Sequence, residues 1–141
     1  MAVRHIARIT AEITKLREIL GEARVVWAPD YSWVQLLDVP LPPGLTLAAS
    51  DMLLVIPDRY GYGMPLRELY VDPGLRVRRE GEWVEIPHYF DRQDGYSPNR
   101  QMPSRNWRYL CLHNTQWKTT DSIFTFLQQV RLFLSAPFRW D

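Results

Sequence analysis

Val3, Ile6, Ile9, Ile13, Leu16 and Leu20 recur at steps of three and four. That spacing predicts an amphipathic helix that stops at Gly21. Its opposite face shows Arg4, Arg8, Glu12, Lys15 and Glu22, which reads as a solvated face or an interaction surface. The pattern then changes period. "ARVVWAP", "SWVQLLDVPL", "DMLLVIP", "LRELYV" and "LRVRREGEWVEI" are short β-rich runs bounded by Pro, Gly and Asp. Glu80-Gly81 sits between alternating residues and reads as a hairpin turn. Sequential strands with short links predict an antiparallel meander. "PLPPG", at 40–44, reads as a rigid connection that a central strand would not tolerate.

Residues 88–106, "HYFDRQDGYSPNRQMPSRN", are polar and turn-rich and predict a long loop. The short apolar run "WRYLCL" follows. Thr120 or Asp121 then caps a second helix with apolar positions Ile123, Phe124, Leu127, Val130 and Leu134, ended by Ser135-Ala136-Pro137. Helix, antiparallel strands, long loop and helix make an α+β domain whose helices are segregated from its sheet.

Composition narrows the function classes. At 141 residues, 46% hydrophobic and 23% charged, the chain fits one globular domain. A net charge of +1 gives no electrostatic case for nucleic acid or an anionic membrane. No apolar run approaches the ~20 residues of a membrane span, and the N-terminus lacks the apolar block of a signal peptide. One cysteine excludes an internal disulfide and suits a reducing cytoplasm. With three scattered histidines (His5, His88, His113), no zinc-ligand spacing exists, so neither metal nor cofactor is expected. Of the 17 basic residues only Lys15 and Lys118 are lysines. Genome base composition accounts for this, or an enzyme carrying a reactive acyl group gains from having few amines of its own.

The candidate chemistry centres on Cys111. A cysteine between leucines is commonly a small buried hydrophobe. Three neighbours favour a nucleophile: a polar segment follows it, His113 lies two positions on, and Asn114 and Asn99 are amide donors of the kind that stabilise an oxyanion. A papain-like arrangement is set aside, because the predicted helix starts well after Cys111 rather than at it.

Two stretches resemble the ubiquitin-conjugating enzymes. In "IPDRYGYGMP", Pro57, Tyr60, Tyr62 and Pro65 match the family's proline–tyrosine segment, while Gly61 and Met64 replace prolines. In "YLCLHNTQWKTTDSIFTFLQQVRLFLSAP", Cys111, Leu112, Trp117, Ile123 and Leu127 match the active-site cysteine, the following tryptophan and the capped helix. The resemblance covers nearly the whole chain and implies a single ubiquitin-conjugating-enzyme-like domain over 1–141. The family places His-Pro-Asn shortly before its cysteine; the nearest match here is Ser97-Pro98-Asn99, without the histidine and further upstream. A histidine after the cysteine resembles a bacterial branch encoded beside ubiquitin-like proteins, activating enzymes and JAB-type peptidases, in operons associated with phage defence.

The resemblance implies acyl transfer. Cys111 accepts a ubiquitin-like protein as a thioester from an activating enzyme and passes it to an amine, such as a lysine of a target protein. His113, then Asn114 and Asn99, support the oxyanion or position the amine; the alternative for His113 is a structural bond to the loop backbone. Trp117 packs the loop after Cys111, and Tyr60 and Pro65 determine the fold. His88 reads as a polar loop residue and His5 as a helix-surface residue. The face with Arg4, Arg8 and Glu12 docks the activating enzyme in this reading. Two alternatives remain: a non-catalytic adaptor of the same fold, with Cys111 buried and inert, and an unrelated module using residues 89–109 on nucleic acid.

Overall fold

The structure is a computed structural model that describes residues 5–86, 89–90, 107–112 and 116–140. Among these residues, helix α1 (Ile6–Leu20) is followed by β1 (Val25–Trp27), β2 (Trp33–Pro40), β3 (Ala49–Val55) and β4 (Glu68–Val71). A hairpin, β5 (Val77–Arg79) and β6 (Glu82–Val84), comes next; β7 (Tyr89–Phe90), β8 (Arg108–Cys111) and helix α2 (Ile123–Ser135) complete the order. Neighbours in the main sheet, in the order β1-β2-β3-β4-β8-β7, are antiparallel. The fold is α+β, with an N-terminal helix, an antiparallel sheet and a C-terminal helix.

The meander expected from sequence holds for β1 to β4. The β5–β6 hairpin instead forms a separate two-stranded sheet. Its turn is the one the sequence marks: Glu80 and Gly81 have φ of 51° and 84°, the doubly left-handed geometry that matches strand twist. Pro40 corrects another expectation, because it is the last residue of β2 and pairs with Ala49. Strand β1 pairs only with 34–36, so β2 has outrun that neighbour where the proline falls. Tyr89 and Phe90, expected in the long loop, pair with Leu110 and Tyr109 of β8; His88 and 91–106 lie outside the described residues.

Alternation gives the sheet two apolar faces. Leu36, Leu54, Leu69 and Leu110 join Ile9, Ile13 and Leu16 of α1 and Ile123, Phe126, Val130 and Phe133 of α2 in the main core. Trp33, Leu53, Tyr70, Trp107 and Tyr109 form a second buried cluster, which the register puts on the other face. Strand β4 therefore has apolar neighbours on both faces.

The helices differ from the pattern in detail. In α1, Ile6 is 44% exposed rather than core; Val3 and Arg4 lie outside the described residues. Ser122, not Thr120 or Asp121, caps α2: its hydroxyl accepts from Phe124 N at 3.1 Å, and Thr125 returns the bond to Ser122 N at 3.0 Å. Phe126 and Phe133, absent from the predicted stripe, are buried, while Phe124 and Leu127 are half-buried. His5 is the N-cap of α1: its Nδ1 accepts from Arg8 N at 3.2 Å, and its ring stacks on Tyr62 with centroids 5.4 Å apart.

The β3–β4 connection shows why position 61 holds a glycine. Gly61 has φ +93°, and a Cβ there would lie 2.7 Å from His5 Cβ. Proline, held near −65°, cannot adopt that backbone. Gly61→Ala is expected to destabilise the protein by about 1–3 kcal/mol through φ and the clash together. Gly44→Ala, at φ +94° with nothing within 4 Å, meets only the backbone term. Denaturant midpoints of the two variants check this; equal losses would contradict it.

Candidate active site

Cys111 is the last residue of β8, and the antiparallel register places it opposite Glu68, the first residue of β4. The next backbone group anchors the chain: Leu112 N donates to Arg67 O at 3.0 Å. The sequence expected Cys111 beyond a long loop, and it ends a strand laid against a central strand. His113, Asn114 and Asn99 lie outside the described residues.

The chain is held again at 117–122, on its way into α2. Trp117 is half-buried against the core and tilted against Tyr60, with ring centroids 6.4 Å apart. Asp121 Oδ2 accepts from Lys118 N at 2.8 Å, a local turn. Arg8 of α1 then reaches across, donating through Nη1 to Thr119 O at 2.6 Å and through Nη2 to Asp121 O.

Glu12 completes this anchorage. Its Oε1 accepts from Tyr60 Oη at 2.6 Å and from Ile123 N at 2.7 Å, and its Oε2 accepts from Arg8 Nε at 3.0 Å. Ile123 opens α2, so a carboxylate from α1 satisfies one of that helix's orphan N–H groups and meets its positive end. Glu12 is 8% exposed and Tyr60 is fully buried. Burial first, and then the bonded Glu12 carboxylate, push the Tyr60 phenol far above its ordinary 10.0, so it remains a neutral donor. Arg8 also lies over the Tyr60 ring, 5.3 Å from its centroid.

The network corrects the expectation of a solvated face for Arg8 and Glu12, which turn inward and tie α1 to the segment that follows Cys111; Lys15 and Glu22 of the same face are exposed, and Arg4 lies outside the described residues. Tyr60 is the fold determinant the sequence suggested. Exposed apolar groups nearby are Ile6, Tyr62 at 59% and Met64 at 41%.

Among the described residues no group of three or more His, Cys, Asp or Glu side chains is placed to hold a metal, and no helix is long and apolar enough to cross a membrane. A groove of about 310 Å³ lies between β2 and α2, lined in part by Val39, Leu41, Phe124, Leu127 and Arg131. It opens at the Pro40 end of β2, whereas Cys111 lies toward the opposite end of the sheet.

Glu12→Ala leaves Arg8 and the α2 N-terminus without their shared acceptor, and an expected loss of about 3–5 kcal/mol follows from breaking a buried pair. Glu22→Ala is the control: Glu22 pairs with Arg17 at 3.5 Å and is 79% exposed, so about 0.5 kcal/mol or less is expected. Chemical denaturation distinguishes them, and similar losses would show that the Glu12 network holds nothing together.

Comparison with known proteins gives no match among family models, curated proteins or solved structures.

Proposed function

We propose that this protein is a conjugating enzyme that carries a ubiquitin-like protein as a thioester on Cys111. The observation that supports it most is the order of parts. A first helix leads into an antiparallel meander, the "IPDRYGYGMP" segment joins β3 to β4, a cysteine ends the strand beside β4, and a capped helix follows. That is the order the resemblance to ubiquitin-conjugating enzymes implies.

In the first step the Cys111 thiolate attacks the thioester carbonyl on an activating enzyme. A new C–S bond forms and the activating enzyme's thiolate leaves. In the second step an amine, a lysine of a target protein in its neutral form, attacks the new thioester; a C–N bond forms, the Cys111 sulfur leaves with the electron pair, and the proton lost from the nitrogen ends on solvent or the released thiolate. Covalent relay divides the transfer into two accessible steps. His113 is the proposed oxyanion donor or amine-positioning group, with Asn114 and Asn99 behind it. Loss of one oxyanion donor lowers such rates about 100- to 1000-fold. Within this proposal the activating enzyme docks on the exposed Ile6, Tyr62 and Met64 rather than on Arg8 and Glu12. The reaction serves a cytoplasmic conjugation system, with phage defence as its setting.

The Ser97-Pro98-Asn99 departure favours one alternative, a non-catalytic adaptor of the same fold that binds a ubiquitin-like protein. Charging separates the two. With its activating enzyme, the ubiquitin-like protein and ATP, the conjugating enzyme gives a thiol-sensitive shifted band on a non-reducing gel, and Cys111→Ala abolishes it. His113→Ala is expected to charge normally and discharge to amines at least tenfold more slowly. No band from an activating enzyme shown to be loaded would favour the adaptor.

A further inference from the structure

The β5–β6 hairpin has one edge in use and one edge open. Arg79 and Glu82 flank a two-residue turn whose residues, Glu80 and Gly81, are both left-handed, so they form a hydrogen-bonded pair. Arg78 and Trp83 are then a non-hydrogen-bonded pair, and their backbone groups point away from the hairpin. On the β5 side those groups are taken up. Arg78 N donates to Gly44 O at 3.1 Å, Thr46 N donates to Arg76 O at 3.0 Å, and Leu45 bridges to Val77. On the β6 side, among the described residues, no strand lies beyond, and the Trp83 N–H and C=O have no backbone partner.

The side chains at this edge carry a charge pattern. Strand parity puts Arg76, Arg78, Trp83 and Glu85 on one face. Arg79 and Glu82 fall on the other, where Arg79 lies over the Phe138 ring. Trp83 is 47% exposed, and the Arg78 guanidinium lies over its ring, 5.2 Å from the centroid. Glu85 is the carboxylate of that set, and it is shared between Arg76 at 3.2 Å and Arg108 at 3.8 Å. Arg78 pairs with no carboxylate among the described residues. The face is therefore net positive beside an exposed aromatic ring.

We infer that β6 is a docking edge for an extended acidic segment of a partner protein, which adds to the hairpin as a third strand. The open Trp83 backbone groups supply the new ladder. The partner residue opposite Trp83 points to the same face as its ring. A carboxylate there meets the Arg78 guanidinium, and its stem covers the indole. The alternate partner residues fall beside half-buried Val84 and are apolar. A nucleic acid would answer the charge but not the strand edge, and the net charge of +1 offers it no wider field. The surface is independent of the chemistry at Cys111.

The probe is a capped heptapeptide of alternating glutamate and valine, titrated calorimetrically into the full-length protein. Saturable binding that weakens with salt is expected. Replacing the glutamates by lysines abolishes it. N-methylation of the glutamates, whose N–H groups face β6, weakens binding about tenfold or more, whereas N-methylation of the valines leaves it within about twofold. Trp83→Ala and Arg78→Gln each weaken it about fivefold or more, with circular dichroism as the check on folding. The peptide comparisons need only the unaltered protein, so they decide the matter even where a variant misfolds. Equal affinity for the two N-methylated peptides overturns strand addition, and equal affinity for the lysine peptide overturns the charge match. No saturable binding up to about 1 mM overturns the whole inference. Tighter binding of a single-stranded oligothymidine that depends on Trp83, or a dimer in sedimentation that Trp83→Ala dissolves, overturns the choice of partner.

Discussion

The Glu12 carboxylate joins three parts of the chain that sequence keeps far apart. It holds the Tyr60 hydroxyl of the β3–β4 connection, the first N–H of α2 and the Arg8 side chain of its own helix. A carboxylate this buried is tolerable only when its lone pairs are occupied and a cation stands beside it. All three partners are needed for that, so the first helix, the connection and the second helix are fixed relative to one another. Arg8 extends the constraint by holding two carbonyls just before α2.

The sheet supplies the second constraint. Cys111 closes a strand paired with β4, and β4 is covered on both faces by buried side chains. The backbone at position 111 is thus placed by a ladder, then by the Leu112–Arg67 bond. Past it, the chain is held again by Trp117 and by Arg8. Anchors on both sides of 113–116 suit the proposed role, in which Cys111 meets two large protein partners in turn.

The strands β1 to β4, the Glu80-Gly81 turn and both helices were legible because they follow local rules of period and turn chemistry. Glu12 was not. It lies three residues after Ile9 and four before Leu16, on the buried side of α1, yet a charge in a helix reads as solvent-facing unless its partner is known. That partner, Ile123 N, is 111 residues away. Pro40 was misread because tolerance of proline depends on where the neighbouring strand stops, which no single run of residues encodes. The pairing of Tyr89–Phe90 with β8 and the stacking of His5 on Tyr62 are likewise long-range. Cys111 was singled out by its type and context, but its place at the end of a strand opposite Glu68 was not legible, because only the cross-strand register brings the two positions together. His113, Asn114 and Asn99 remain readings of the sequence.

The proposal that the Cys111 sulfur carries the C-terminus of another protein is tested most directly by intact-mass spectrometry after incubation with activating enzyme, ubiquitin-like protein and ATP. A species heavier by the ubiquitin-like protein less one water is expected, reversed by hydroxylamine at neutral pH, with the linkage mapped to Cys111. An unmodified mass in the presence of loaded activating enzyme, or an adduct that resists hydroxylamine, would contradict it.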